Sequence, residues 1–484
     1  MRAPTLTEAI AACADPARAM EGVEQLRQTA VGGFLKKLSI GQAQILAAVL
    51  AGSEVLRELL VAHPEWLQPL LEGDSLNSPR QEQGLQREID RWLNPLLHPK
   101  DYEAAFVSLR QFKQREMLRI AARDLGRLAG ALEIAGEISV VADLCLDAVC
   151  LLCRQNLENR LGRPYHHDAD GRWQESRFCV LGLGNLGGQE LDYSANVDVL
   201  FVYSEEGSVF KSPPSPGEQT GRGQSNHQFF TRLAEGMIAE SARLTPGGNL
   251  FRIDPRLRPE GKTGPLVRSI DSYENYYAQW GQAWERMMLI KARPVAGDPA
   301  LGDEFVKMVQ SFRYPRSLSK RTLREVAAIK KRFEGEVSKQ GGMERNVKEG
   351  RGGIREIEYI VQTLQILRAG HSPSLRGAST VPVLRKLAEY PLLPAADAKQ
   401  LEEAWIFLRD AWHRLQMEAG HPTYTIPTER RARERLARLM GFESLPEFEA
   451  ARKMHTAWVR RVYDRLLPGD DPEPLPSPPG QSYA

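Results

Sequence analysis

A mostly helical protein with one small mixed α/β unit set between two helical regions is the fold class that this sequence predicts. Three observations predict it. Apolar residues recur at three- and four-residue spacing from Thr5 to about Leu161, and again from about Leu301 to Leu466. Between about Tyr165 and Val295 the period changes, with β-branched and aromatic runs at FCVLGL, VDVLFVYS and NLFRIDPRL. Glycine and polar loops separate those runs. The length of 484 residues suits about two to four domains. The expected division is a helical region over 1–163, an α/β domain over 164–300, a helical bundle domain over 301–466 and a disordered tail over 467–484.

In the first region, AQILAAVLAGSEVLRELLVAH and ISVVADLCLDAVCLLCRQNLENRL read as helices, with Pro64, Pro95 and Pro99 marking helix ends. One helix carries Arg110, Lys113, Arg115, Arg119 and Arg123, which reads as a solvated face lining a domain junction. Cys150 and Cys153 form a CxxC inside AVCLLCRQ, the apolar face of a helix. With no second ligand pair following, buried reduced thiols are the expectation rather than zinc or redox chemistry. In the middle region NHQFFTRLAEGMIAESAR is a helix between the second and third strands, and the loop from Glu205 to Ser225 is rich in proline and glycine. Trp280 and Trp284, four apart, are expected in the core. Beyond Leu301, TLREVAAIKKRFEGEVSK and DAKQLEEAWIFLRDAWHRLQME read as long helices.

Several functional classes fall away. A formal charge of +2 gives no electrostatic footprint for nucleic acid. The longest apolar stretches, such as Ala43 to Leu50, are too short to span a bilayer, and the N-terminus lacks an apolar signal core. A cytoplasmic location is therefore expected. The histidines are scattered, with no HExxH.

Chemistry concentrates in two blocks. The first is FCVLGLGNLGGQELDYSANVDVLFVY, from Phe178 to Tyr203; the second is LFRIDPRLRPEGKTGPLV, from Leu250 to Val267. Gly182, Gly184 and Gly187 spell GxGxxG after a strand, the fingerprint of a dinucleotide fold. The crossover helix of such a fold needs about a dozen residues. Only Gln189 to Asn196 separate the turn from the next strand, so that reading fails on length. Backbone N–H groups of Gly187 and Gly188 at a helix start can instead cradle phosphate. Alternate residues of a strand share a face, so positions 196 and 198 point together, and Asp254 on a neighbouring strand can join them. Three carboxylates there would hold Mg²⁺ for phosphoryl transfer. Asp198 and Asp254 are acids; Asn196 is not, and offers only a neutral carbonyl oxygen.

These residues carry a resemblance. GLGNLGGQELDYSANVDVLF is similar to the GxGKLGGxELxxSSDxDLxF block of the bifunctional glutamine synthetase adenylyltransferase and adenylyl-removing enzymes, a nucleotidyltransferase family. The second block resembles that family's VDxRLRPxGxxGPLV, and WERMMLIKAR (Trp284–Arg293) and GGIREIEY (Gly352–Tyr359) also match. The likeness runs from about residue 30 to 465 and is greatest to the N-terminal, adenylyl-removing half. It implies a nucleotidyltransferase-like α/β domain and Mg²⁺-dependent removal of AMP from a protein tyrosine by phosphorolysis, or its addition. Glutamine synthetase would be the target, and ATP, ADP or phosphate the small substrates. A PII-type nitrogen-signalling protein is a further implied partner.

The resemblance implies roles for Asp198, Asp254 and Asn196 in catalysis, the first two as metal ligands. Gly187, Gly188, Arg256, Arg258 and Lys291 would bind nucleotide or phosphate. For the two arginines salt bridging within the fold is the alternative, and for Lys291 and Arg293 an interdomain ion pair. Arg355 and Glu358, at i,i+3, can pair on a helix surface or position phosphate. The family's first metal carboxylate is Asn196 here, its neighbouring serine is Ala195, and the lysine of its glycine turn is Asn185. A catalytically silent regulator that still binds glutamine synthetase, a signalling protein or nucleotide is therefore the competing reading.

Overall fold

A computed structural model describes residues 6–194, 196–215, 223–317, 343–390 and 392–466. The expected helix TLREVAAIKKRFEGEVSK, the tail 467–484 and part of the Glu205–Ser225 loop lie outside the described residues. The fold is mostly helical around two small sheets. Five helices open it: α1 (Leu6–Ala12), α2 (Pro16–Arg27), α3 (Ile40–Gly52), α4 (Glu54–Ala62) and α5 (Leu67–Glu72). Three longer ones follow: α6 (Glu82–Leu97), α7 (Tyr102–Leu125) and α8 (Ala131–Leu161). Pro95 does not end a helix but sits inside the last turn of α6.

The middle of the chain forms β1 (Arg163–His167), β2 (Trp173–Glu175), β3 (Phe178–Gly182), the single turn α9 (Gly184–Gly187), β4 (Val197–Tyr203), β5 (Ser208–Phe210) and α10 (Asn226–Ala242). It continues through β6 (Ile253–Asp254), β7 (Val267–Ser269), α11 (Ile270–Gln279), α12 (Ala283–Leu289), β8 (Arg293–Gly297), α13 (Pro299–Met308) and α14 (Gln310–Arg313). The larger sheet runs β6-β4-β3-β8, with β7 also on β4; β3 is antiparallel to β4 and β8, while β6 and β7 are parallel to β4. A smaller antiparallel sheet, β2-β1-β5, flanks it. The last helices are α15 (Ile354–Arg368), α16 (Thr380–Glu389), α17 (Ala395–Ala419), α18 (Arg430–Leu439) and α19 (Leu445–Leu466).

Every residue of β3 is buried, because sheet faces on both sides are covered by helices. Phe178, Val180, Val199 and Phe201 share one core with α6, α7, α8 and α10, while α1 to α5 bury their apolar faces on one another and on the C-terminal end of α7. Leu181, Leu200 and Val202 pack on the other face against α11 and α13. A third core joins α15 to α19 around Trp405 and Trp412.

The basic helix is not a solvated face. Arg110, Arg119 and Arg123 are 1%, 4% and 1% exposed. Arg119 donates to Glu116 (2.8 Å) and Glu137 (2.5 Å), and Arg123 pairs with Glu137 and Glu133. The segment is helical as its spacing predicts, but carboxylates on α8 and within α7 neutralise that face and allow its burial. The cysteines are free thiols, and burial pushes Cys145 and Cys153 up to about 12. Trp280 and Trp284 also depart from expectation, being 67% and 36% exposed, because they flank the break between α11 and α12 rather than riding one helix face.

Candidate active site

The site is built where β3 turns into β4. Leu183 N–H donates to Asp198 O at 2.8 Å, tying the glycine turn to the acidic strand. Gly184 has φ +51°, and a Cβ there would lie 2.7 Å from Asp198 Oδ2, so both conformation and space require glycine. Gly187 is packed more tightly, a Cβ lying 2.0 Å from Lys291 O. The N–H groups of Gly187 and Gly188 donate to Leu183 O (2.8 Å) and Gly184 O (3.0 Å), closing the turn of α9. They are thus occupied within the chain, and these two glycines serve close packing rather than a phosphate cradle. Gly187→Ala is expected to destabilise the fold by about 3 kcal/mol, since the backbone of residue 291 has to move; a thermal melt reads this.

Asp198 and Asp254 stand opposite each other in the parallel register of β4 and β6. Burial, and then the charge of Asp254, push Asp198 up to about 6; Lys348 and Arg256 act in the opposite direction. Its carboxylate has no hydrogen-bond or ion-pair partner among the described residues. Asp254 differs: burial works to raise it, but Arg256 outweighs this and holds it below the usual carboxylate range. The Arg256 side chain donates to both oxygens, at 2.9 and 2.7 Å, and its backbone N–H adds a third bond at 3.0 Å. Asn196 is exposed at the foot of β4 and lines a cleft of about 700 Å³ with Lys113, Ser194, Arg252, Phe251 and Met417. Ala195 lies outside the described residues.

The remaining predicted residues brace the site. Arg258 donates to the carbonyls of Pro255 (2.9 Å), Gly264 (3.1 Å) and Lys262 (3.2 Å), stapling the loop after β6. Lys291 is 4% exposed and bonds Glu190 and Glu358, each at 2.8 Å. These two ion pairs fix α15 to the glycine turn. Arg293 caps α9 through the carbonyls of Leu186 (2.9 Å) and Gly187 (3.2 Å) while pairing with Asp143 (2.7 Å). Arg355 and Glu358 do not pair; Arg355 joins Glu349, and Glu358 joins Lys291.

Three residues between α9 and β4 were not singled out from sequence. Glu190, 0% exposed, accepts from Thr380 N–H (2.5 Å) and Thr380 Oγ1 (3.0 Å) besides Lys291. Asp192 accepts from Gln416 Nε2 at 2.6 Å, and Tyr193 O–H donates to Asp124 at 3.0 Å. Asp124 also pairs with His413 (3.0 Å) and Arg414. The pair of acids directly behind the glycine turn, Glu190 and Asp192, was the available signal, since carboxylates that close to a buried strand require partners.

Residues 43–308, more than half of the 484, match the family described as GlnE, glutamate-ammonia ligase adenylyltransferase. The chain belongs to that family. Residues 320–467 match a second family, GlnD PII-uridylyltransferase. Relatives named bifunctional glutamine synthetase adenylyltransferase/adenylyl-removing enzyme occur in Thioalkalivibrio sulfidiphilus and Nitrosococcus oceani. The first is 36% identical over 425 residues, covering 88% of this chain and 42% of the relative. The second is 38% identical over 361 residues, covering 75% and 36%. The chain thus spans about two fifths of the length of these glutamine synthetase adenylyltransferase relatives. No helix among the described residues is long and apolar enough to cross a membrane.

Proposed function

We propose that this chain is a nucleotidyltransferase-type regulator of glutamine synthetase, removing AMP from a tyrosine by phosphorolysis. The observation that carries the reading is the half-buried, unpartnered Asp198 carboxylate set in register with Asp254 beside the glycine turn. Membership of the adenylyltransferase family and the adenylyl-removing relatives support it. In the reaction a phosphate oxygen attacks the phosphorus of the tyrosyl-AMP. The P–O bond to the phenol breaks, ADP leaves, and the phenol takes the proton that phosphate gives up. Addition of AMP would use the same groups, the phenol oxygen attacking the α-phosphorus of ADP with phosphate leaving, or of ATP with pyrophosphate leaving.

The donor set fits Mg²⁺: two oxygens from adjacent strands, one of them unneutralised, and the Asn196 carbonyl as a neutral third donor. Held by Asp198 and Asp254, the ion would offset charge on the transferring phosphoryl group. Arg256 guards both oxygens of Asp254 and has to swing off as substrate enters; its exposed side chain is free to do so. The α/β segment 164–300 carries the chemistry, and 301–466 braces it. A cytoplasmic location and a PII-type signalling partner accompany this reading.

Asn196, together with the Arg256 clamp on Asp254, favours a second reading, a silent regulator that binds glutamine synthetase without turnover. ADP release from adenylylated glutamine synthetase with Mg²⁺ and phosphate, against Asp198→Ala as the blank, separates the two. Release above the blank is expected, and Asn196→Asp is expected to raise it by tenfold or more by restoring a third carboxylate. No release, with binding intact, would establish the regulator.

A further inference from the structure

One face of β4 and β6 carries four polar residues at two levels. Val197, Val199, Phe251 and Ile253 all enter one core, so strand alternation turns Asn196, Asp198, Arg252 and Asp254 to the opposite face. In the parallel pairing Asp198 stands level with Asp254 and Val197 with Ile253. Val197 N–H donates to Arg252 O at 2.9 Å, which carries the pairing one step further back. Asn196 is therefore beside Arg252, two residues or about 6.5 Å along the strands from the acids.

Asn196 and Arg252 both line the cleft of about 700 Å³. Its other walls come from α4, α7 and the end of α17, with Leu59, Met117 and Met417 among the apolar lining. A cleft of this size suits a small-molecule ligand. Glu58 is the one carboxylate lining it among the described residues, against the cations Lys113 and Arg252. Lys113 is already engaged. Its Nζ donates to Asn249 O and Leu250 O, each at 3.1 Å, and lies 4.7 Å from the Phe251 ring centroid. Arg252 is exposed, and its guanidinium makes no hydrogen bond or ion pair among the described residues. In this it differs from Arg256, Arg258 and Arg293, whose donors are taken up within the fold. The planar fork of a guanidinium matches two oxygens of a phosphoryl group. Beside it the neutral Asn196 leaves the positive charge uncancelled and can add an amide N–H.

We propose that Arg252, with Asn196 beside it, binds a phosphoryl anion of the small substrate one level below the acid pair, through the cleft that both residues line. The inference rests on the phosphoryl-transfer reading above. It gives the anion to a side chain, because the N–H groups of the glycine turn are closed on Leu183 and Gly184.

The test is equilibrium binding of inorganic phosphate, ADP and adenosine, each separately, to the full chain with Mn²⁺ present. The proteins are the parent, Arg252→Met, Arg252→Lys and Asp198→Ala. Arg252→Met is expected to bind phosphate and ADP about ten- to a hundredfold more weakly, as for loss of charge-assisted hydrogen bonds, and Arg252→Lys to recover part of this. Melting temperature and Mn²⁺ affinity are expected to stay parental in Arg252→Met, whereas Asp198→Ala loses Mn²⁺ affinity. Adenosine, which carries no phosphate, is expected to distinguish none of the Arg252 variants from the parent. Weakening toward both anions marks a site for any phosphoryl group; weakening toward phosphate alone assigns it to the attacking anion, and toward ADP alone to the nucleotide. Parental binding of phosphate and ADP by Arg252→Met overturns the proposal while leaving the function above intact. Equal weakening toward adenosine also overturns it, by showing that the side chain shapes the cleft without meeting the anion. If the parent binds neither phosphate nor ADP, the phosphoryl-transfer reading fails and this proposal with it.

Discussion

Replacing Asp198 by asparagine is expected to abolish AMP transfer while making the metal-free protein more stable at neutral pH. The loss follows from removing an anionic metal ligand from a phosphoryl-transfer site, about a thousandfold or more in rate. The gain follows from desolvation. In the folded chain Asp198 loses its proton near pH 6, displaced upward by burial and by Asp254, whereas an unfolded aspartate does so near pH 4. Between those values the native state binds more protons than the unfolded one. Stability therefore falls as pH rises through that window and stays lower above it. Asparagine carries no charge and escapes the fall, for a gain of about 1–3 kcal/mol above pH 6 that shrinks toward zero below pH 4. Thermal melts in chelator at pH 4 and pH 7.5 measure it. A variant less stable than the parent at pH 7.5 would show that the carboxylate is solvated or neutralised, and the electrostatic account of the acid pair would be wrong. The proposed activity would then cost stability, as at many functional sites.

Asp124→Ala is expected to be among the most damaging changes away from the acid pair, at about 3–5 kcal/mol. The side chain is buried on α7 and receives Tyr193 O–H, His413 and the Arg414 guanidinium. Arg414 also donates to the Asp124 carbonyl at 3.0 Å. Removing the carboxylate strands a buried guanidinium, with the half-buried Asp410 as the remaining acid beside it. Asp124, Asp410 and His413 lie close enough to suggest a metal group, but Arg414 already neutralises Asp124 and the cluster serves as a brace. Asp124→Asn keeps the shape and one acceptor, so it should cost roughly half as much. Chemical denaturation of the three proteins, with ADP release measured beside it, checks both claims. Equal stability of the alanine and asparagine variants would mean that charge pairing is not what holds this junction.

Much of this site was legible in the sequence, for a definite reason. The runs around Asp198 and Asp254 are short and largely apolar, with a glycine turn ahead of the first, and eight residues between turn and strand excluded a crossover helix. Type and period are local properties, so they survive in one dimension. Partners do not. A glycine turn can offer the N–H groups of Gly187 and Gly188 to phosphate; whether Leu183 and Gly184 accept them first depends on the turn that forms. Sequence leaves Lys291 open between phosphate and an ion pair, because Glu190 and Glu358, about a hundred residues before it and nearly seventy after, meet it only in the fold. Arg119 and Arg123 looked solvated because the carboxylate between them, Glu137, comes from another helix. Trp280 and Trp284 looked like neighbours on one helix face until a break fell between them.

The connection from α9 to β4 carries a consequence for how this chemistry can be moved or inherited. Glu190, Asp192 and Tyr193 find their partners at Thr380, Gln416 and Asp124, far outside the sheet that they serve. A module cut at residues 164 and 300 for grafting onto another scaffold would leave with two carboxylates that are at most 1% exposed in the intact fold and have lost those partners. Water would have to enter beneath β4 to solvate them, or the strand would have to let go. Recombination that swaps the small sheet without its helical surroundings is closed off on the same grounds.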